Sequence, residues 1–200
     1  MKQKLLTPLF LPLKLKLPVI LPVILIATIF LFSSCTAKPQ SAAPAEMTAV
    51  FSEAGLPFYL NKVTPREFSL QTLTGETLSL SGLQGKVVFL NFWATWCGPC
   101  VIEMPSMEAI YKRYREKGLE ILAVNFGESQ AEVQAFMNNH GLSFPALLDE
   151  DGRTGGSYGI QAIPTSFLID RDGNVVSRLV GSIDWDTPEI HAVIESLLNS

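Results

Sequence analysis

Cysteine is scarce in this 200-residue chain, occurring only at 35, 97 and 100, and histidine is scarcer, with His140 and His191 alone. One close Cys pair, with no second pair and no His-x-x-x-His, leaves a structural zinc short of its four ligands, so no metal site is expected. An Asp-x-Asp-x-Asp-Gly loop with a distal Glu is also missing. The acidic run Asp149-Glu150-Asp151-Gly152 therefore reads as a solvated turn and not as a calcium loop. Positive charge is thin beyond the N-terminus. Lys2, Lys4, Lys14 and Lys16 precede Cys35, leaving 11 Lys and Arg against all 19 Asp and Glu and a net charge of −8 after that point. Nucleic acid is not expected as a partner of such a surface. No cofactor signature is present, and none is expected.

The N-terminus is basic and then apolar. Leu17 to Phe32 is apolar but for Thr28, and is broken by Pro18 and Pro22. As a helix it reaches about 24 Å, short of the roughly 30 Å hydrocarbon core, so residues 1–34 are expected to be a cleaved secretory signal and not a span. Ser33-Ser34-Cys35 resembles a bacterial lipobox, which implies lipidation of Cys35 and a membrane held through an N-terminal lipid anchor. Thr36 to Ala45 is rich in Ala, Pro, Ser, Gln and Lys, the composition of a flexible tether. Residues 35–62 are grouped as tether and poorly assigned segment, with a short helix ending at Gly55, and 63–200 as the folded domain.

The chemistry is concentrated in Asn91-Phe92-Trp93-Ala94-Thr95-Trp96-Cys97-Gly98-Pro99-Cys100. Lys86 to Trp93 is nearly continuous apolar sequence, as in a strand covered on both faces. It runs into a helix expected to open with Cys-x-x-Cys. A cysteine there faces unpaired backbone N–H groups and the positive end of the helix dipole, which favour thiolate over thiol. Cys97 is the candidate nucleophile, and Cys100, one turn on, lies within disulfide reach. A disulfide closing so small a loop adds little stability. Trp96 is expected over the active cysteine and Trp93 in the core. Glu103 shares a helix face with Cys100. It is either an acid working with the cysteines or a solvated helix charge.

The run Phe92 to Cys100 resembles the thioredoxin active-site segment. The longer pattern Trp96-Cys97-x-Pro99-Cys100-x-x-Glu103-x-Pro105 resembles the TlpA/ResA-like extracytoplasmic thiol-disulfide oxidoreductases, and the likeness runs from about Pro65 to the C-terminus. It implies an α/β thioredoxin fold: a central mixed β-sheet with helices on both faces, an N-terminal β-hairpin and a helix-strand insertion. The periodicities agree. Phe68 to Leu73 and Thr77 to Leu80 alternate in polarity around Thr74-Gly75-Glu76, as in a hairpin with one buried face. Leu119 to Phe126 reads as a parallel strand. Ser129 and Glu132 form a capping box before Val133, Phe136 and Met137, predicting a helix that ends at Gly141. Phe144 to Leu148 is a short strand, and Phe167 to Ile169 with Val175 to Val180 a closing hairpin. Thr187 and Pro188 start a last helix whose apolar face is Ile190, Val193, Ile194, Leu197 and Leu198. Pro105 is expected to kink the redox helix.

By the same resemblance Pro164 is a cis-proline opposite the cysteines, leaving the backbone at Ile163 free to pair with an extended substrate. Trp96, Gly98 and Pro99 complete the substrate-facing surface. Glu103 tunes the cysteines and shuttles a proton, where thioredoxin uses a buried Asp at the position of Asn91. The implied activity is reduction of disulfides in extracytoplasmic proteins, apocytochrome c among them, with recharging by a membrane thiol electron donor. Two other readings stay open. One is a peroxiredoxin-like thiol peroxidase, whose Pro-x-x-Thr-x-x-Cys pattern is absent because Ala94 stands three before Cys97. The other is a tethered binding lipoprotein with an incidental Cys pair.

Overall fold

The computed structural model describes residues 44–200. The signal expected over 1–34, the lipidation at Cys35 and the first part of the tether lie outside those residues. Among the described residues, no helix is long and apolar enough to cross a membrane.

Helix α1 (Pro44–Glu53) is followed by a hairpin of β1 (Ser69–Thr72) and β2 (Thr77–Ser79). Then come β3 (Val87–Trp93), α2 (Gly98–Tyr114), β4 (Leu119–Phe126), α3 (Gln130–His140), β5 (Ala146–Asp149) and the short α4 (Arg153–Ser157). The chain closes with β6 (Thr165–Ile169), β7 (Val175–Val180) and α5 (Pro188–Asn199). Among the described residues, seven strands lie in one mixed sheet in the order β2-β1-β5-β4-β3-β6-β7. The inserted strand β5 pairs parallel with β4 on one side and antiparallel with β1 on the other. The insertion is therefore what splices the N-terminal hairpin onto the sheet.

Strand β3 is the axis. It lies between parallel β4 and antiparallel β6, and all of its residues are buried. A strand covered on both faces has no reason to alternate apolar with polar, which is why its sequence is a continuous run. The pleat still sorts its side chains. Val87, Phe89 and Trp93 enter one core, with residues of α1, α2, α3 and α5. Val88, Leu90 and Phe92 enter the other, covered by Phe68, by Leu83 of a 3-10 turn, and by Tyr158 just after α4. The longer helices thus share one face, and the short α4 serves the opposite one.

Helix α5 starts as its sequence requires. The Thr187 side chain accepts from the Ile190 N–H, with Pro188 at the first turn. All five residues of its expected apolar face are buried. Burying one such aliphatic side chain stabilises by about 1.5–3 kcal/mol. Helix α3 carries its capping box and stops at Gly141, whose φ of 63° suits glycine.

Two sequence expectations differ from the structure. Residues 44–62, grouped with the tether as a poorly assigned segment, are packed: Met47, Phe51 and Leu56 are buried, and Tyr59 N donates to Val176 O at 2.8 Å. Three apolar residues in a helix and its exit suffice to hold the segment down. Asp149, read as part of a solvated turn, is 1% exposed. Its carboxylate accepts from Thr154 N (3.0 Å) and Gly155 N (2.8 Å). The free N–H groups that open α4 recruit the carboxylate inward. Helix α2 continues through Pro105.

Candidate functional site

The site forms where β3 ends. A buried strand delivers Trp93 and Ala94 into the interior, and the chain then emerges at Thr95 and Trp96 before turning into α2. Cys97 is the N-cap of that helix, in extended conformation at φ −87° and ψ 100°. Its Sγ lies 3.3 Å from the Cys100 backbone N, which points an otherwise unpaired helix N–H at the sulfur. Pro99 sits in the first turn, where its missing N–H costs nothing. Cys97 and Cys100 form a disulfide with Cα atoms 5.3 Å apart. Cys97 keeps 6% exposure and Cys100 none, so of the two sulfurs Cys97 is the one an incoming group can meet. Gly98 and Pro99 are exposed beside it.

Across from the sulfur, the Ile163–Pro164 bond is cis, and the Ile163 carbonyl oxygen is 3.6 Å from Cys97 Sγ. A disulfide sulfur has no proton to give, so this is a contact in the oxidised form. Pro164 itself is buried, and its carbonyl accepts from Gly181 N at 2.9 Å, which anchors the loop to the end of β7.

Glu103 is 1% exposed and is no surface charge. Its Oε1 accepts from Asn91 Nδ2 at 2.9 Å, and its Oε2 from Trp185 Nε1 at 3.0 Å. Asn91 donates its other N–H to Ser166 Oγ, also at 2.9 Å. Burial pushes the Glu103 carboxyl up from 4.5 to about 7, against hydrogen bonds from Trp185, Asn91 and the Ile183 backbone that pull it down. An acid with that midpoint can both hold and release a proton near neutrality. Asn91 cannot ionise, but it is bonded directly to the group that can.

Trp96 stands at the tip of the turn, immediately before Cys97. It is 69% exposed and, with Phe126, Ile160, Gln161, Ala162 and Ile163, walls an open apolar recess of about 160 Å³. That volume suits one apolar side chain. Trp93 is fully buried, its ring 5.1 Å from that of Phe136.

Sequence reasoning missed two residues here. Glu128, in the loop after β4, accepts from Thr95 N at 2.7 Å, from the Thr95 hydroxyl, and from Asn125 Nδ2 at 2.7 Å. It pins the segment just ahead of Cys97. The available signal was its place at the C-terminal end of a central strand, where α/β sheets gather their functional groups. Trp185, the donor to Glu103, carried no signal, because the contact joins residues 82 positions apart.

The AhpC/TSA family matches residues 61–178. The thiol-disulfide oxidoreductase ResA of Halalkalibacterium halodurans is 42% identical over 146 residues, 68% of this chain and 83% of that protein. ResA of Bacillus thuringiensis is 47% identical over 114 residues, 57% of this chain, and the match spans 66% of that protein's length, just short of two thirds. Among solved structures, a putative thiol:disulfide interchange protein DsbE from Chlorobium tepidum superposes with a TM-score of 0.63 at 35% identity, covering 70% of this chain and 99% of that one. The sheet and helices described above are those of the thioredoxin fold.

Proposed function

The chain belongs to the AhpC/TSA family and to the ResA-like thiol-disulfide oxidoreductases, and from that premise we propose that it is a membrane-anchored, extracytoplasmic reductase of protein disulfides. The observation that carries the reading is the Cys97–Cys100 disulfide at the start of α2, with the more accessible sulfur facing the Ile163 carbonyl.

In the dithiol form, Cys97 Sγ is the thiolate, stabilised by the first amides of α2. It attacks one sulfur of a client disulfide. The client's S–S bond breaks, a mixed disulfide forms, and the departing client sulfur takes up a proton. Cys100 then gives up its own proton and attacks Cys97 Sγ. The mixed disulfide breaks, the second client sulfur leaves as a thiol, and Cys97–Cys100 is restored. Two electrons pass from the dithiol to the client, with one proton from Cys100 and one from water, because Cys97 starts as a thiolate. The Glu103 carboxylate takes the Cys100 proton, and its position three residues on along the same helix supports that role.

Trp96, Gly98, Pro99, Ile163 and Pro164 receive the client. The backbone at Ile163 pairs with an extended segment, and the apolar recess takes a neighbouring side chain. Cys35 carries the lipid that holds the protein at the membrane, and a membrane thiol donor returns the electrons. Disulfide-containing extracytoplasmic proteins, apocytochrome c among them, are the client class.

The reducing direction rests on Gly98-Pro99 between the cysteines. Equilibration of the full-length protein with defined thiol buffers tests it. The expected potential is in the thioredoxin range, about −270 mV, and a value close to that of a strong oxidant, about −120 mV, overturns the reductase assignment.

A further inference from the structure

We propose that Trp185 is the positioning residue for Glu103: its indole N–H fixes one carboxylate oxygen and holds the acid inward as an anion. The side chain is 1% exposed, and Nε1 lies 3.0 Å from Glu103 Oε2. A second bond ties the same residue to the same helix. Trp185 N donates to Ser106 Oγ at 3.0 Å, and Ser106 Oγ donates to the Glu103 carbonyl at 2.8 Å. The ring also rests on Phe89 of β3, with centroids 4.5 Å apart. The loop between β7 and α5 is therefore clipped to α2 at both the acid's side chain and its backbone.

The chemistry of the donors explains the choice of residue. Indole Nε1 donates and cannot accept, and the same holds for the Asn91 amide nitrogen on the other oxygen. An ionised Glu103 satisfies both. A protonated Glu103 carries an O–H that neither nitrogen can receive; to accept it Asn91 must turn its unpartnered Oδ1 to the acid, and its bond as donor is then lost. The cage is matched to the anion while burial opposes it, and the midpoint near 7 is the balance of the two. Around the carboxylate stand Asn91 on β3 and Trp185 and the Ile183 backbone on the closing loop, while Cys100, three residues back on the same helix, is held in the disulfide. No ion pair to Glu103 occurs among the described residues, so this balance is set by neutral donors and desolvation.

The test uses the full-length protein and two replacements of Trp185, each removing the N–H and keeping an aromatic ring against Phe89: Trp185→Phe, and site-specific exchange for 3-benzothienylalanine, which keeps the indole's shape. The proposal rests on the dithiol reading only for its kinetic consequence, so the first readout is independent of activity: the Glu103 carboxyl titration in the disulfide form, by infrared or carbon NMR. The midpoint is expected to rise by about one unit in both variants. At pH 7 the anionic fraction then falls from about a half to about a tenth, and the step that expels the client slows about fivefold. In a Glu103→Gln background neither replacement is expected to change the pH profile. A carboxyl midpoint unmoved in the benzothienyl variant, or a profile shift that persists without Glu103, overturns the proposal. An inert parent protein whose Glu103 midpoint still moves would count against the reductase reading and leave this one standing.

Discussion

Cys97 Sγ lies 3.6 Å from the carbonyl oxygen of Ile163, so one sulfur faces helix amides on one side and a backbone acceptor on the other. Cys100 is fully buried. The asymmetry predicts different failures. Cys97→Ala is expected to abolish disulfide reduction outright. Cys100→Ala is expected to accumulate client joined to Cys97, visible as reductant-sensitive adducts on gels. Adducts formed equally by the two variants would contradict the assignment of roles. Peroxide consumption that persists in Cys100→Ser would favour the thiol peroxidase reading.

Burial of Glu103 sets a pH dependence of stability. Its folded midpoint, about 7, lies above the unfolded value of 4.5. The native state therefore binds the proton more tightly than the unfolded state does. The stabilising contribution is full below pH 4.5 and is lost as pH rises through 7. Across that window the parent is expected to lose up to about 3 kcal/mol relative to Glu103→Gln. Denaturant melts of both proteins at pH 4.5, 6 and 8 read the difference, and parallel curves would refute it.

Glu128 ties Thr95 to Asn125 across the end of the sheet. Glu128→Ala strands the Thr95 amide and the Asn125 side-chain amide beside a low-dielectric interior. A loss of about 2–4 kcal/mol in unfolding free energy is expected. The Cys97 thiolate should also become less regular in its reactivity, which alkylation rates in the reduced form would register.

The recess between Trp96 and Phe126 is expected to act on clients only. Phe126→Ser should raise the KM for a folded protein disulfide severalfold while leaving reduction of a small aliphatic disulfide unchanged. Equal loss on both substrates would mean that the residue serves the cysteines themselves. Gly155→Ala provides a second approach to the same wall, because an added Cβ comes within 3.0 Å of the Phe126 ring.

How much of this could be read in advance depended on how local the cause was. The β3 run, the Ser129/Glu132 box and the apolar stripe of α5 are written within a dozen residues each, and all three appear in the structure. The Cys97 helix cap is equally local. Asp149 misled because an Asp-Glu-Asp-Gly string normally stays in water, and only the short helix behind it turns its carboxylate inward. Glu103 could be placed on the right helix face, but whether that face was wet depended on Trp185, far along the chain. Trp96 was expected over the active cysteine, and only the structure shows how far its ring stands in solvent at the tip of the turn.

The burial of β3 on both faces and both edges has one more effect. Its amides can exchange with deuterium only when the sheet itself comes apart, whereas the hairpin and the outer helices can open alone. The turn that presents the sulfurs is thus rooted in the slowest-opening part of the molecule. Breathing at the periphery, including whatever adjustment a docking protein demands, should leave the spacing of the redox pair undisturbed.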